Sequence, residues 1–245
     1  MHIQAPDRIL DLQIPPEFIA DRYVACLDVM GIRARLRGQG VDGVAAMYAG
    51  IVSYVEDLKA AAAVGAGPLG TIQFFHGIEV AIFSDSIFLF SSGLDFYIDG
   101  ISQLSNLIFQ QCLARDVPIS GGIARGRTVV WPERGVYVGN GIVAAYELQN
   151  KIDIIGVVAD PALASTELDG PAPVPVKGGA PERLKFPGFL RPGTAAGALL
   201  KPDPNDVQAG FLRCRNAAPA AKQHKYDNGR LLLERTLGQR FTQYP

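Results

Sequence analysis

Arg22-Tyr23-Val24-Ala25-Cys26-Leu27-Asp28-Val29-Met30-Gly31 reads as a buried strand that stops at a glycine and carries one acid near its end. A second acid, Asp85, stands in Phe83-Ser84-Asp85-Ser86, between the apolar runs Ile78 to Phe83 and Ile87 to Phe90. That is the pattern of a hairpin whose tip holds one carboxylate. A carboxylate closing a core strand is costly unless it is exposed, paired or bound to a cation. Two of them at strand ends suggest a shared site for hard divalent metals, which take oxygen ligands and triphosphate substrates. Each acid also has a plainer reading: Asp28 as a turn acid or arginine partner, Asp85 as a turn residue flanked by serines.

Outward from this strand, Pro15-Pro16 sets residues 1–20 apart as a lead-in. After Gly38 and Gly40, the positions Val44, Met47, Tyr48, Ile51, Val55 and Leu58 recur at helical spacing, and an Ala/Gly stretch from Ala60 to Gly70 ends that helix. Strands over Thr71 to Phe83 and Ile87 to Phe90 flank Asp85. A second helix follows from Asp95 to Arg115, its buried face marked by Ile98, Ile101, Leu104, Leu107, Ile108 and Cys112. Strands are expected over Ile119 to Ala124, Thr128 to Trp131 and Val136 to Val138, then a helix from Gly139 to Asn150 and a closing strand from Ile152 to Val158. The order β-α-β-β-α-β-β-α-β predicts an α+β domain over residues 21–158. It implies one antiparallel sheet with helices on one face, of ferredoxin or palm type. Residues 160–205 read as a Pro/Gly-rich irregular connection, and the rest of 159–245 as a helical extension packing on that domain.

The chain has 245 residues, 48% apolar and 19% charged, with a formal net charge of −1, enough for one sizeable core. So even a charge balance gives no electrostatic case for nucleic-acid or membrane partners. Cys26, Cys112 and Cys214 are far apart, show no metal-ligand spacing and read as free thiols. No apolar segment reaches membrane-spanning length and no signal pattern opens the chain, so a cytoplasmic location is the expectation. A Rossmann phosphate fingerprint and a P-loop are absent.

Four pieces, in order, resemble the class III nucleotide cyclases. Leu27-Asp28-Val29-Met30-Gly31-Ile32 is similar to the strand end Phe-x-Asp-Ile-x-Gly-Phe that supplies that family's first metal aspartate. Asp85 matches the second, at a hairpin tip. Ser120-Gly121-Gly122-Ile123-Ala124-Arg125-Gly126 resembles Arg-x-Gly-Ile-x-x-Gly, and Gly139 to Leu148 resembles Gly-x-x-Val-Asn-x-Ala-x-Arg-Leu. The departures are specific. The purine-reading lysine and aspartate of adenylyl cyclases correspond here to Ala81 and Val136, and the helix asparagine and arginine to Val143 and Glu147. The Phe-Ser-Asp-Ser hairpin, Ala145-Tyr146-Glu147-Leu148 and Lys225-Tyr226-Asp227-Asn228 are similar to the pyrimidine cyclases of bacterial Pycsar antiphage defence.

The resemblance implies a uridylate cyclase that converts UTP to 3′,5′-cyclic UMP and pyrophosphate with two Mg²⁺ or Mn²⁺ ions. The product would act on a separate effector protein. A cytidylate cyclase and a degenerate nucleotide-binding module are the alternatives. It implies Asp28, Asp85 and the Val29 carbonyl as metal ligands, and a head-to-tail homodimer sharing two sites. Gly31 and Ile32 would cradle phosphate, Arg33 (with Arg35 and Arg37) would contact the triphosphate, and Arg125 would replace the missing helix arginine. Tyr48 and Tyr146 are the candidates for narrowing the base pocket and stacking on a pyrimidine, although both also fit as ordinary helix residues.

Overall fold

The computed structural model describes residues 13–64, 75–94, 97–164, 168–187, 202–237 and 240–241. Most of the expected lead-in, the start of the strand placed at Thr71, Asp95, and part of the Pro/Gly-rich region lie outside these residues. The elements are β1 (Ile19–Val29), α1 (Ile32–Val64), β2 (Glu79–Phe83), β3 (Ser86–Phe90), α2 (Tyr97–Ala114), β4 (Ile119–Trp131), β5 (Val136–Gly139), α3 (Asn140–Lys151), β6 (Gly156–Ala159), β7 (Leu168–Val174), β8 (Glu182–Pro187), α4 (Pro204–Ala217) and α5 (Ala220–Leu237). The β-α-β-β-α-β-β-α-β order expected from the sequence is present over β1 to β6, and the fold is α+β.

The strands form one sheet in the order β2-β3-β1-β4-β6-β8-β7, with β5 paired to β4. All pairings are antiparallel except β4 with β6, which is parallel. β1 is a central strand because its apolar run is buried on both faces, and the alternation of its side chains sorts the helices. Tyr23, Ala25, Leu27 and Val29 join a core with α1, α2, α4 and α5, while Val24 and Cys26 pack on the other face with Ala124 and Ala145. The expectation of helices on one face is therefore corrected: α3 covers the opposite face. Small residues on β4 allow it. A Cβ at Gly122 would lie 2.6 Å from the Ala145 carbonyl oxygen, and one at Gly126 would lie 2.6 Å from the Gly141 nitrogen.

Two further differences have local causes. Ile119 to Trp131 is one strand rather than two. Within the stretch read as an irregular connection, β7 and β8 form a hairpin that extends the sheet through Ala159 and Lys185. Pro171 and Pro173 argue against a strand in sequence, yet β7 is the sheet's edge, where a missing N–H costs no ladder bond, and the register shifts between Asp169 and Ala172. The core does not stop at residue 158. Val207, Phe211 and Cys214 of α4 and Tyr226, Leu233 and Leu237 of α5 are buried in the same cluster as α2. α4 approaches α2 closely enough that a Cβ at Gly210 would collide with the Leu113 carbonyl. No helix among the described residues is long and apolar enough to cross a membrane.

Candidate functional site

The register of β1 places its terminal acid between two neighbours: Asp28 pairs with Ser86 on β3 and with Ser120 on β4. Phe83 pairs with Ser86, so Ser84 and Asp85 alone make the β2–β3 loop. Ser84 is left-handed (φ 57°), the hand that two-residue hairpins use to match strand twist. The Val29 N–H donates to the Asp85 carbonyl oxygen at 2.7 Å, and the Met30 N–H donates to the Pro118 carbonyl at 2.9 Å. Local sequence thus folds the hairpin tip back onto the end of the central strand.

The electrostatics follow from that meeting. Asp28 is half-buried, and burial raises its carboxyl above the usual range; the Asp85 charge raises it further, while Lys225 and Lys177 oppose the shift. Cys26, one step behind on the same face, is pushed up to about 12 by burial and by the Asp28 charge. Tyr48 of α1 belongs to this group. Its hydroxyl is buried with no hydrogen-bond partner among the described residues. Burial, then the charges of Asp85 and Asp28, push it up to about 12.

After Met30 the chain turns at Gly31, whose φ of 80° suits glycine, and α1 begins at Ile32. The positive end of α1 therefore opens beside the carboxylate strand. Ile32 is buried, Arg33 and Arg37 are exposed, and Arg35 donates to the Asp116 carbonyl. A groove of about 560 Å³ opens here, walled by Met30, Gly31 and Pro118 on one side and by Lys222 and Tyr226 of α5 on the other.

The C-terminal helix brings lysines that the sequence reading did not place. Lys225 is only 7% exposed, so its ammonium needs a charged neighbour; Asp153 lies 3.7 Å away. Burial lowers its pKa, and so do the like charges of Lys177 and Lys222. The docking of α5 is tight. Ile155 N–H donates to the Lys225 carbonyl (2.9 Å), Asn228 Nδ2 donates to the Asp153 carbonyl (2.9 Å), and Asp153 Oδ2 lies 3.0 Å from His224 Nε2. A Cβ at Gly229 would strike the Ile155 carbonyl. Lys225-Tyr226-Asp227-Asn228 thus has a physical reading: a cation toward the site, a core aromatic, a salt bridge to Arg215 (2.8 Å) and a backbone anchor. The phrase was visible in the sequence, but nothing local says that it docks beside β1.

Asp28, Val29, Asp85 and Tyr48 come together, with Gly31, Ile32 and Arg33 at the adjoining turn. Two of the residues picked from sequence stand apart in the chain. Arg125 pairs with Tyr23, five residues along β1 from Asp28 and on the other face of the sheet. That is about 17 Å of strand. Its guanidinium covers the Tyr23 ring at 5.2 Å. Strand alternation is the reason: an odd offset on a paired strand points away. Tyr146 is half-exposed on the outer side of α3, beside the exposed Val143 and Glu147.

Two carboxylates whose like charges repel, next to a backbone turn, are a hard-oxygen donor set that suits Mg²⁺ or Mn²⁺. No group of three or more His, Cys, Asp or Glu able to hold a metal occurs among the described residues, so further ligands would come from backbone and substrate oxygens.

No family model matches the chain. No curated protein matches it either. Among solved structures it is similar to a bacterial light-regulated adenylyl cyclase, at 11% identity and a TM-score of 0.47, over 69% of this chain and 52% of that one. It is also similar to a guanylyl cyclase (13% identity, TM-score 0.37, 72% of this chain and 97% of that one). A third is a class III adenylyl cyclase-like ATP-binding protein from Pseudomonas aeruginosa (11% identity, TM-score 0.37, 89% and 46%). The chain thus spans about half the length of the light-regulated cyclase.

Proposed function

We propose that this chain is a pyrimidine nucleotide cyclase that converts UTP to 3′,5′-cyclic UMP and pyrophosphate, as the signal generator of a bacterial antiphage system. The observation that carries this reading is the meeting of Asp28, Asp85 and the orphan Tyr48 hydroxyl at one strand end. The motif resemblance supplies the chemistry, and Ala81 and Val136 in place of purine-reading side chains supply the base preference.

Cyclisation forms a bond from the ribose 3′-oxygen to the α-phosphorus and breaks the α–β bridge, with pyrophosphate leaving and the 3′-hydroxyl proton released. Two Mg²⁺ or Mn²⁺ ions held by Asp28, Asp85 and the Val29 carbonyl would supply Lewis-acid activation of that hydroxyl and charge neutralisation on the phosphates. The chain's own residues do the positioning. The turn at Gly31 and the first amides of α1, at Ile32 and Arg33, face the polyphosphate. Lys225, with Lys177 and Lys222 near it, adds positive charge where the leaving group gathers negative charge. Tyr48 closes the space that a purine's second ring would need.

The partner copy in a head-to-tail homodimer would bring the outer side of α3, including Tyr146, to this site. Exposed Phe83, Val138, Val143 and Tyr146 support that assignment. Arg125, on the other face, has no place in this scheme within one chain. The effector that reads the product and a cytoplasmic location belong to the same reading.

Asp28→Ala and Asp85→Ala test it. Loss of turnover with the fold intact supports catalysis. A second reading, a degenerate nucleotide-binding module, is favoured by Val143 and Glu147 standing in place of asparagine and arginine. It predicts no product from wild type, and nucleotide binding unchanged in both variants.

A further inference from the structure

A second cavity, of about 430 Å³, lies between α1 and α2, with neither Asp28 nor Asp85 in its lining. Packed helices normally interdigitate large side chains at 8–10 Å separation. Here α1 offers Gly43, Ala46 and Gly50, and the space stays open against Ile108 and Cys112 of α2. The deep wall is apolar, with Ile51, Tyr54, Ile108 and Cys112 all buried. The rim is polar and basic, carrying Arg35 and Arg115 with Gln39 and Gln111, and no carboxylate among the described residues lines it. Nearby Asp116 does not neutralise the pair. It offers Arg35 only its backbone carbonyl, while its carboxylate is held by Arg213 at 2.8 Å. Two guanidiniums over an apolar well, in a volume suited to small ligands, define the chemistry of the occupant.

We infer that this cavity binds a small amphipathic anion, its carboxylate, sulfonate or phosphate on Arg35 and Arg115 and its apolar body against Ile51, Tyr54 and Ile108. The site spans a break in α1. Gly40 is non-helical (φ 71°), with Arg35 and Gln39 before it and Gly43 to Tyr54 after it. A ligand bridging the two halves fixes Tyr48 relative to the Gly31 turn. Arg35 lines both this cavity and the groove at Met30 and Gly31. Control of turnover through this route rests on the proposed function; binding does not.

The test is a fluorescence titration of the full chain with 8-anilinonaphthalene-1-sulfonate, with the uncharged N-phenyl-1-naphthylamine as comparison. A Cβ added at Gly50 meets nothing within 4 Å, so Gly50→Leu fills the cavity from an open position. Ala46→Met, on the same side, serves where Gly50→Leu fails to fold. The inference expects one saturable sulfonate site per chain, weakened at least tenfold by either filling variant at a melting temperature no lower than that of wild type. It expects Arg115→Gln to weaken the sulfonate several-fold and leave the neutral probe alone. Undiminished sulfonate binding in a folded filling variant overturns it. Equal affinity of wild type for the charged and neutral probes overturns the anion assignment. Because these readouts need no nucleotide, they stand whether or not the chain is a cyclase.

Discussion

The Val29 N–H donates to the Asp85 carbonyl oxygen at 2.7 Å, tying the hairpin tip to the strand that ends in Asp28. Two acids 57 positions apart in sequence are thereby held at one place by backbone geometry, before any ligand is considered. Their like charges repel, and the Asp85 charge adds to burial in raising the Asp28 carboxyl.

That repulsion predicts an unusual mutant. Burial, then the Asp85 charge, raise the Asp28 carboxyl. A group whose pKa is raised on folding favours the folded state when protonated, and folding loses that contribution as pH rises through the elevated value. Asp28→Asn should therefore melt at or above wild type at neutral pH without divalent cations, the difference closing as pH falls. Turnover should drop by at least about 100-fold, the scale of losing one charge-stabilising group. Differential scanning calorimetry with and without Mn²⁺ checks the pair: Mn²⁺ should raise the melting temperature of wild type only. A clear loss of stability in metal-free Asp28→Asn would mark the acid as structural.

Tyr48 gives a second case in which stability and activity part. A buried hydroxyl without a partner costs about 1–3 kcal/mol. Tyr48→Phe should raise the melting temperature by roughly 2–4 °C per kcal/mol recovered. Tyr48→Ala should lower stability and raise the ratio of ATP to UTP turnover, since it opens the space argued to exclude a purine. Competition kinetics with the two nucleotides reads this directly.

Lys225 should act on the polyphosphate end. Lys225→Met keeps the buried stem and removes the charge, so pyrophosphate inhibition should weaken about tenfold or more while the fold persists. Gly229→Ala attacks the same lysine indirectly, by forcing α5 off the Ile155 carbonyl. It should cost about 1–3 kcal/mol as overpacking. If Lys225→Met leaves pyrophosphate inhibition untouched, the lysine serves only to neutralise Asp153.

The thiols provide a check on burial. Cys26, Cys112 and Cys214 are each pushed up to about 12, with burial as the leading cause. The native protein should therefore resist iodoacetamide at neutral pH, and all three thiols should react once it is unfolded. Mass spectrometry of alkylated peptides shows which, if any, is exposed.

The order of the first nine elements and the two acids were legible because both signals are local: a strand ending at Gly31 and a hairpin around Ser84 and Asp85. What escaped was non-local. Hydrophobic periodicity finds α3 but does not say which face of the sheet it covers; the close approach at Gly122 and Gly126 decides that. Pro171 and Pro173 hid an edge strand. Arg125 looked usable by motif, yet one residue of strand parity turns it away from Asp28. Lys225 needed the docking of a helix some two hundred residues downstream.

The central claim is pyrimidine cyclisation, and one assay meets it most directly. Purified protein is incubated separately with UTP, CTP, ATP and GTP, in Mg²⁺ and then in Mn²⁺, and the products are read by mass. The account predicts 3′,5′-cyclic UMP and pyrophosphate from UTP, abolished in Asp85→Ala. A cyclic purine as the main product would contradict the reading of Ala81, Val136 and Tyr48, and no product from any nucleotide would contradict the enzyme itself.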